Sequence, residues 1–136
     1  MDRIFEHVDL DLGYEDLVTD TTSKRRLYVT PDGDKYPSVT TVLSIITEDA
    51  IAAWKKRVGE EEANKVGHRA SSRGTAVHAI VEKYLRNEDT TDYLPHIRQS
   101  LQNLRTVLDK SLGRIFGLET ALFSRHLGLA GRCDCI

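Results

Sequence analysis

The spacing of apolar residues changes twice along the chain. Residues 27–29 favour a strand, the run at 31–34 is strong turn chemistry, and 35–36 begin a returning strand. Further along, apolar residues recur at helical intervals, and from Ile115 the period becomes that of strands, at 115–124 and 129–136. A small hairpin, about four helices and a terminal antiparallel strand pair together predict an α/β (α+β) fold.

The predicted helices cover 39–46, 48–58 with a continuation over 61–66, 73–86 and 92–108. Ser38 is a suitable N-cap for the first, Gly67 is expected to end the second, and Ser71 or Ser72 to cap the third. Inward positions of the last two helices follow the i, i+3, i+4 rule: Val77, Ile80, Val81, Tyr84 and Leu85, then Leu94, Ile97, Leu101, Leu104 and Leu108.

Length indicates one domain of 136 residues. Residues 1–25 scatter Asp, Gly and Thr among single apolar residues, so we expect a loosely ordered segment there and the folded domain at 26–136. A sheet that ends on two strands leaves an unpaired edge. We therefore expect a missing C-terminal half, or a partner that completes the sheet.

Charge is unevenly distributed, although the net charge is only −2. Residues 55–73 hold six basic residues, which can steer a polyanion, but a solvated helix face is the simpler explanation of that stretch alone. No apolar run approaches the roughly 20 residues that cross a bilayer, and the acidic N-terminus is unlike a signal peptide. We expect a cytoplasmic protein without membrane contact, in which Cys133 and Cys135 are free thiols.

The helix predicted at 73–86 carries three residues with possible chemistry on one face. Gly74, His78 and Glu82 are spaced four apart, and residues i and i+4 share a face. A neutral imidazole can bind a divalent metal, and Glu82 can bind one too or orient the histidine. For an i, i+4 pair seen alone, a surface His–Glu pair is the commoner situation.

Two further patterns suggest contacts to a polyanion. Arg73, Gly74 and Thr75 open the predicted helix, where free N–H groups and a cation would suit a phosphate, although an ordinary capped start fits as well. Trp54 beside Lys55 can stack a base, but a half-buried helix anchor is the favoured interpretation.

The terminal strand pair supplies a second candidate site. If Arg125 pairs with Gly128 across a two-residue turn, Glu119 faces Asp134 on one side of the ladder. Two like charges directly opposite each other are destabilising, so their retention would need a cation between them, and a hard divalent ion is suitable. A one-residue slip would move Glu119 to the other face.

These motifs occur together in an order that resembles one nuclease family. The run YPSVTTVL at 36–43, the pattern RGT-x-x-H-x-x-x-E at 73–82, and Glu119 followed by LGLAGRCD at 127–134 are similar to segments of RecB-like PD-(D/E)XK nucleases. That group includes phage exonucleases and the mitochondrial genome maintenance exonuclease. The resemblance covers about residues 27–136.

The resemblance implies the N-terminal part of a restriction-endonuclease-like core and a metal-dependent exonuclease that acts on DNA, with single-stranded ends favoured. It implies that Asp134 and His78 hold Mg²⁺ or Mn²⁺, that Glu82 supports the histidine, and, more loosely, that Glu119 is catalytic. DNA contacts are expected from Arg73, Gly74, Thr75, Ser38, Thr40, Trp54 and Lys55. The family's (D/E)-x-K strand has no counterpart here, so we expect this chain to be inactive alone.

A second function stays open at this point. The chain can instead be a non-catalytic module for nucleic-acid binding or assembly, derived from a nuclease. A purely structural helical protein needs no motif, but it leaves the order of the motifs unexplained.

Overall fold

The computed structural model describes residues 3–136, which form a mixed α/β protein with three helices and two small antiparallel sheets. The chain divides into two compact units. The first comprises Met1–Val8 and Val58–Phe116, and the second comprises Asp9–Arg57 and Gly117–Ile136. The mixed class predicted from the sequence is confirmed, whereas the nuclease-type core remains a prediction.

The first unit is built on helices α2 (Glu60–Leu85) and α3 (Pro95–Ser111), which pack together. Their buried residues continue the apolar stripes of the sequence: Ile80, Tyr84, Leu85, Ile97 and Leu101. The N-terminal segment completes this core with Phe5, whose ring meets that of Tyr84 edge-on at 5.4 Å. Leu94, expected to face inward, is 65% exposed because it lies at the N-cap of α3 rather than inside the helix.

Helix α2 is longer than the sequence predicts. Gly67 and Ser71 lie inside a continuous helix of 26 residues, and neither Gly67 nor Gly74 has a positive φ. A glycine inside a helix costs only about 1 kcal/mol relative to alanine, which buried contacts along the same helix can offset. The break lies at Gly59, whose φ of 90° separates α2 from the preceding helix.

That preceding helix, α1, is also continuous, over Val39–Val58, so the predicted interruption near residue 47 is wrong. The predicted cap is confirmed, because the Thr41 N–H donates to Ser38 Oγ at 3.0 Å. None of the twenty described residues of α1 is buried, and Leu43, Ile45 and Ile46 are each more than half exposed. No helix among residues 3–136 combines the length and apolar character needed to cross a bilayer.

The second unit holds both sheets. Strands β1 (Val18–Asp20), β2 (Leu27–Val29) and β3 (Lys35–Pro37) form one antiparallel sheet, and β4 (Leu118–Ser124) pairs with β5 (Leu129–Cys135) in the other. The predicted hairpin is confirmed with Tyr28 opposite Tyr36. Residues from both sheets and from the N-terminal segment form a common core: Leu17, Tyr28, Ala121 and Ala130, with Tyr14, Tyr36 and Phe123 packed against it.

The expectation of a loosely ordered segment at 1–25 needs correction. Residues 1 and 2 lie outside the described part of the chain, but Phe5 and Leu17 are core residues and β1 adds an edge to the hairpin. The first unit includes residues up to Val8, and the second begins at Asp9. The expected boundary at residue 25 is therefore not a boundary between the two units. Single apolar residues that enter a core built by distant elements leave no periodic signal in the sequence.

The buried stripe of the first unit gives a stability prediction. Ile80 is 0% exposed, so Ile80→Ala should lower the free energy of unfolding by about 2–5 kcal/mol through lost burial and a residual cavity. Val107→Ala, in the same unit at 61% exposure, should change it by less than about 0.5 kcal/mol. Urea unfolding followed by circular dichroism measures both, and equal losses would contradict the described core.

Candidate functional site

The pairing of β4 with β5 sets two carboxylates opposite each other. Leu118 pairs with Cys135 and Thr120 pairs with Cys133, so the residues enclosed by these pairs, Glu119 and Asp134, face one another. Carboxylate oxygens of Glu119 and Asp134 lie within 4.8 Å of one another. The register predicted from the sequence is confirmed.

The backbone at Glu119 has an uncommon conformation. Its φ is 50°, in the left-handed region that costs a residue with a Cβ roughly 1–2 kcal/mol. Strand pairing continues on both sides of it, so the residue is not an inserted bulge. Such conformations persist only where surrounding contacts hold them, and they concentrate at functional sites.

One of those contacts comes from the opposite strand. The Arg132 guanidinium donates to the backbone carbonyl of Glu119 at 2.8 Å and, through its other terminal nitrogen, to Asp16 Oδ1 at 2.9 Å. The Leu17 N–H and the Arg132 guanidinium, both bonded to the Asp16 carboxylate, lower its pKa. The same pairing with Asp16 raises the pKa of Arg132, so the ion pair is present throughout the neutral range.

The donor set of this pair suits a hard cation. Two carboxylates this close repel each other, and a divalent ion with oxygen ligands relieves that repulsion while using both groups. Mg²⁺ in particular is usually held by one or two carboxylates, with water and substrate phosphate filling the other positions. The arrangement therefore fits the metal class that the motifs imply.

The two cysteines on either side of Asp134 are poor candidates for thiolate metal ligands. Both are free thiols, as predicted, and the Cys133 thiol donates to the backbone carbonyl of Cys135 at 3.3 Å. Burial raises the pKa of Cys135, with smaller contributions from the adjacent Cys133 and Asp134. A raised pKa favours the protonated thiol, which is a poor metal ligand.

His78 and Glu82 belong to the first unit, where they lie one turn apart on α2. His78 is exposed, and Glu82 is half-buried. The Glu82 carboxylate accepts two hydrogen bonds from Arg86, at 2.8 and 3.1 Å, in an i, i+4 ion pair. The predicted role of Glu82 in orienting the histidine stays a prediction, and Arg86 is a partner that sequence reasoning missed.

The predicted phosphate site at a helix start is wrong in its physical basis. Arg73, Gly74 and Thr75 lie in the interior of α2, thirteen or more residues after Glu60, so their N–H groups serve the helical ladder. Only the Arg73 side chain remains available as a cation, and it lies 3.4 Å from Ser100 Oγ on α3. The contact of residues 73–75 with DNA stays a prediction, without the support of a helix start.

The other predicted DNA contacts lie in the second unit. Ser38 and Thr40 line a cavity of about 520 Å³ that also includes Arg26, Phe123 and Arg132. Ser38 is buried, and its hydroxyl bonds to those of Thr40 and Thr41 at 3.0 and 2.7 Å. Arg26 was missed by the sequence analysis because a single arginine before a strand carries no motif.

Trp54 and Lys55 lie near the end of α1. The tryptophan is half-buried, which agrees with the helix-anchor interpretation, and Lys55 lines a second cavity, of about 490 Å³, together with Arg25 and Glu48. These residues do not line the cavity that holds Ser38 and Thr40.

The strain at Glu119 gives a prediction with two matched variants. Glu119→Gly and Glu119→Ala remove the same carboxylate, but only glycine adopts a φ of 50° without steric cost. The glycine variant should therefore be more stable than the alanine variant by about 1 kcal/mol. Urea unfolding of both proteins measures the difference, and an alanine variant of equal or greater stability would argue against strain at this position.

No family model, curated protein or solved structure matches this chain. The resemblance to RecB-like PD-(D/E)XK nucleases therefore rests on the sequence motifs alone.

Proposed function

We propose that this chain contributes the metal-binding part of a nuclease that hydrolyses phosphodiester bonds in DNA with Mg²⁺ or Mn²⁺. The observation that carries the proposal is the facing pair Glu119–Asp134, with oxygens within 4.8 Å across the β4–β5 ladder. An oxygen-rich pair of this kind is the donor set that hard divalent ions prefer. The motif order around residues 73–82 and 127–134 supports the same conclusion.

The proposal assigns His78 as a further ligand. Its position on α2 comes from the motif that places a histidine five residues after Arg73. An exposed imidazole in its neutral form can bind a divalent metal ion. Since His78 and the carboxylates belong to different units, this assignment is tested separately from that of Glu119 and Asp134.

The chemistry follows from the charges that develop during hydrolysis. A divalent ion, when bound, would stabilise the attacking and leaving oxygens and lower the pKa of the attacking water. Asp134 and Glu119 would hold the ion, and its charge would offset their two negative charges so that a phosphodiester could approach. The Arg132 guanidinium, two residues before Asp134 on β5, adds a positive charge that bonds to the Glu119 carbonyl.

The cavity lined by Ser38 and Thr40 is the proposed location of the DNA strand. It lies along β5, since Gly131, Arg132 and Cys133 line it just before Asp134. Its apolar walls include Leu122, Leu129 and Phe123, against which a base can stack, while the exposed Arg26 can pair with a phosphate. Bases become accessible to such a pocket in single strands, which favours a single-stranded end as substrate.

A role in assembly is the second candidate, and one observation favours it. Helix α1 has no buried residue among its twenty, and its exposed side chains include Val39, Leu43, Ile45, Ile46 and Ile51. Exposed apolar surface of this extent is typical of interaction sites. This role does not exclude metal binding by the same unit.

The metal site is tested by titrating the chain with Mn²⁺ and following free Mn²⁺ by electron paramagnetic resonance. Asp134→Asn and Glu119→Gln should each lower the affinity by at least about tenfold. Loss of a residue that only orients a metal ligand already lowers metal affinity by about tenfold or more, and loss of a ligand itself should cost at least as much. His78→Gln should weaken binding as well. Asp9→Asn and His126→Gln, at exposed positions, are the controls.

Binding unaffected by Asp134→Asn would remove the carboxylate pair from the site. Binding lowered by the carboxylate variants but not by His78→Gln would retain the pair and remove the histidine. Cleavage is then assayed on labelled single-stranded DNA with Mg²⁺, Mn²⁺ or EDTA, using this chain and a longer one that supplies a (D/E)-x-K strand. If the longer chain still cleaves DNA in the presence of EDTA, the result contradicts the proposal.

The DNA contact at the cavity gives an independent prediction. Arg26→Met should weaken binding of a short single-stranded DNA and reduce the slope of log affinity against log salt concentration by about 0.7, the value for one phosphate contact. Arg125→Met removes an equally exposed arginine that does not line the cavity. Fluorescence anisotropy at several salt concentrations distinguishes them, and equal slopes for the two variants would place the strand elsewhere.

A further inference from the structure

The Arg132 side chain connects three parts of the second unit. It extends from β5, donates to the backbone carbonyl of Glu119 on β4, and pairs with Asp16 in the N-terminal segment, 116 residues away along the chain. Its two terminal nitrogens serve these two acceptors separately, at 2.8 and 2.9 Å. Arginine is suited to this because its donors are held in a rigid planar fork, whereas a lysine ammonium is a single point charge.

We propose that Arg132 is a positioning residue for the metal site: it holds Glu119 in its left-handed conformation and thereby directs that carboxylate toward Asp134. The inference rests on the proposed function, because it assigns a purpose to the geometry of the same carboxylate pair. Toward the metal site Arg132 acts through the backbone of Glu119, and its side chain also lines the cavity proposed for the DNA strand.

Glu119 needs a contact of this kind because its backbone conformation is energetically costly. At a φ of 50° the residue is roughly 1–2 kcal/mol above its ordinary conformations, and relaxation to extended backbone would turn its side chain relative to the ladder. A charge-assisted hydrogen bond to the carbonyl of that residue opposes the relaxation. The ion pair with Asp16 holds the Arg132 guanidinium in place, and Asp16 lies outside the two strands β4 and β5.

A simple electrostatic effect predicts the opposite result, which makes the inference testable. If Arg132 were only a positive charge beside a cation site, its removal would reduce repulsion and tighten metal binding. If it positions Glu119, its removal loosens the carboxylate and weakens binding. Loss of an outer residue that orients a metal ligand typically lowers metal affinity 10–100-fold.

The experiment is an Mn²⁺ titration of the whole chain carrying Arg132→Met. The expected result is an affinity about 10–100-fold below that of the unchanged protein. Arg125→Met is the matched control, since it removes an arginine of the same hairpin that pairs with Asp32 and contacts neither Glu119 nor Asp16 in the bonds described. It should leave the affinity within about twofold, given the weak effect of distant exposed charges.

Affinity that is equal or higher in Arg132→Met would overturn the inference, provided that circular dichroism shows the fold to be retained. Should that variant fail to fold, Arg132→Lys decides the matter, because it preserves the charge and removes the fork. A lower affinity in the lysine variant supports positioning, and an unchanged one contradicts it. If the unchanged protein itself binds no Mn²⁺, the proposed function fails first, and the two failures are thus distinguishable.

Discussion

The register between β4 and β5 is the constraint on which the candidate site depends. Side chains alternate between the faces of a strand, so a slip of one residue would carry Glu119 away from Asp134. The core fixes the register, because Ala121 and Ala130 must both face it, at 2% exposure each. The turn supports it, since Gly128 takes a φ of 62° and its N–H donates to the Ser124 carbonyl at 2.9 Å.

The same ladder therefore contributes to the core at one end and carries the candidate site at the other. Near the turn, Phe123 packs against Tyr36 of the other sheet and against Tyr14, which donates to the Ala121 carbonyl at 2.8 Å. At the far end, two carboxylates and a strained backbone oppose folding. Burial near the turn supplies stability that offsets these local costs, which is the usual relation between a core and a functional site.

Local chemistry explains what the sequence predicted correctly. The hairpin at 27–37, the cap at Ser38 and the β4–β5 register all depend on turn residues, short polar side chains and apolar alternation within a few positions. The errors have a common cause in distant contacts. Gly67 was expected to end a helix that packing extends, and Phe5 and Leu17 enter cores made largely by residues far along the chain.

The candidate site divides in the same way. Glu119 and Asp134 were paired from the strand pattern alone, whereas the Asp16–Arg132 contact joins residues with no shared motif. The positive φ of Glu119 also carries no signal in its own residue type, since glutamate is not a residue that favours the left-handed region. Residues 73–75 were misplaced because the helix start was inferred from polar residues that lie within the helix.

The conformation of Glu119 restricts which amino acids this position can accept. Glycine and asparagine tolerate a φ of 50° but carry no carboxylate, and bulky or β-branched residues tolerate it least. Aspartate alone combines tolerance of that backbone with a negative charge, and its side chain is one methylene shorter. A protein that keeps both this backbone conformation and the negative charge must have either glutamate or aspartate at this position. Glutamate has the longer side chain, and aspartate has the better tolerance of a positive φ.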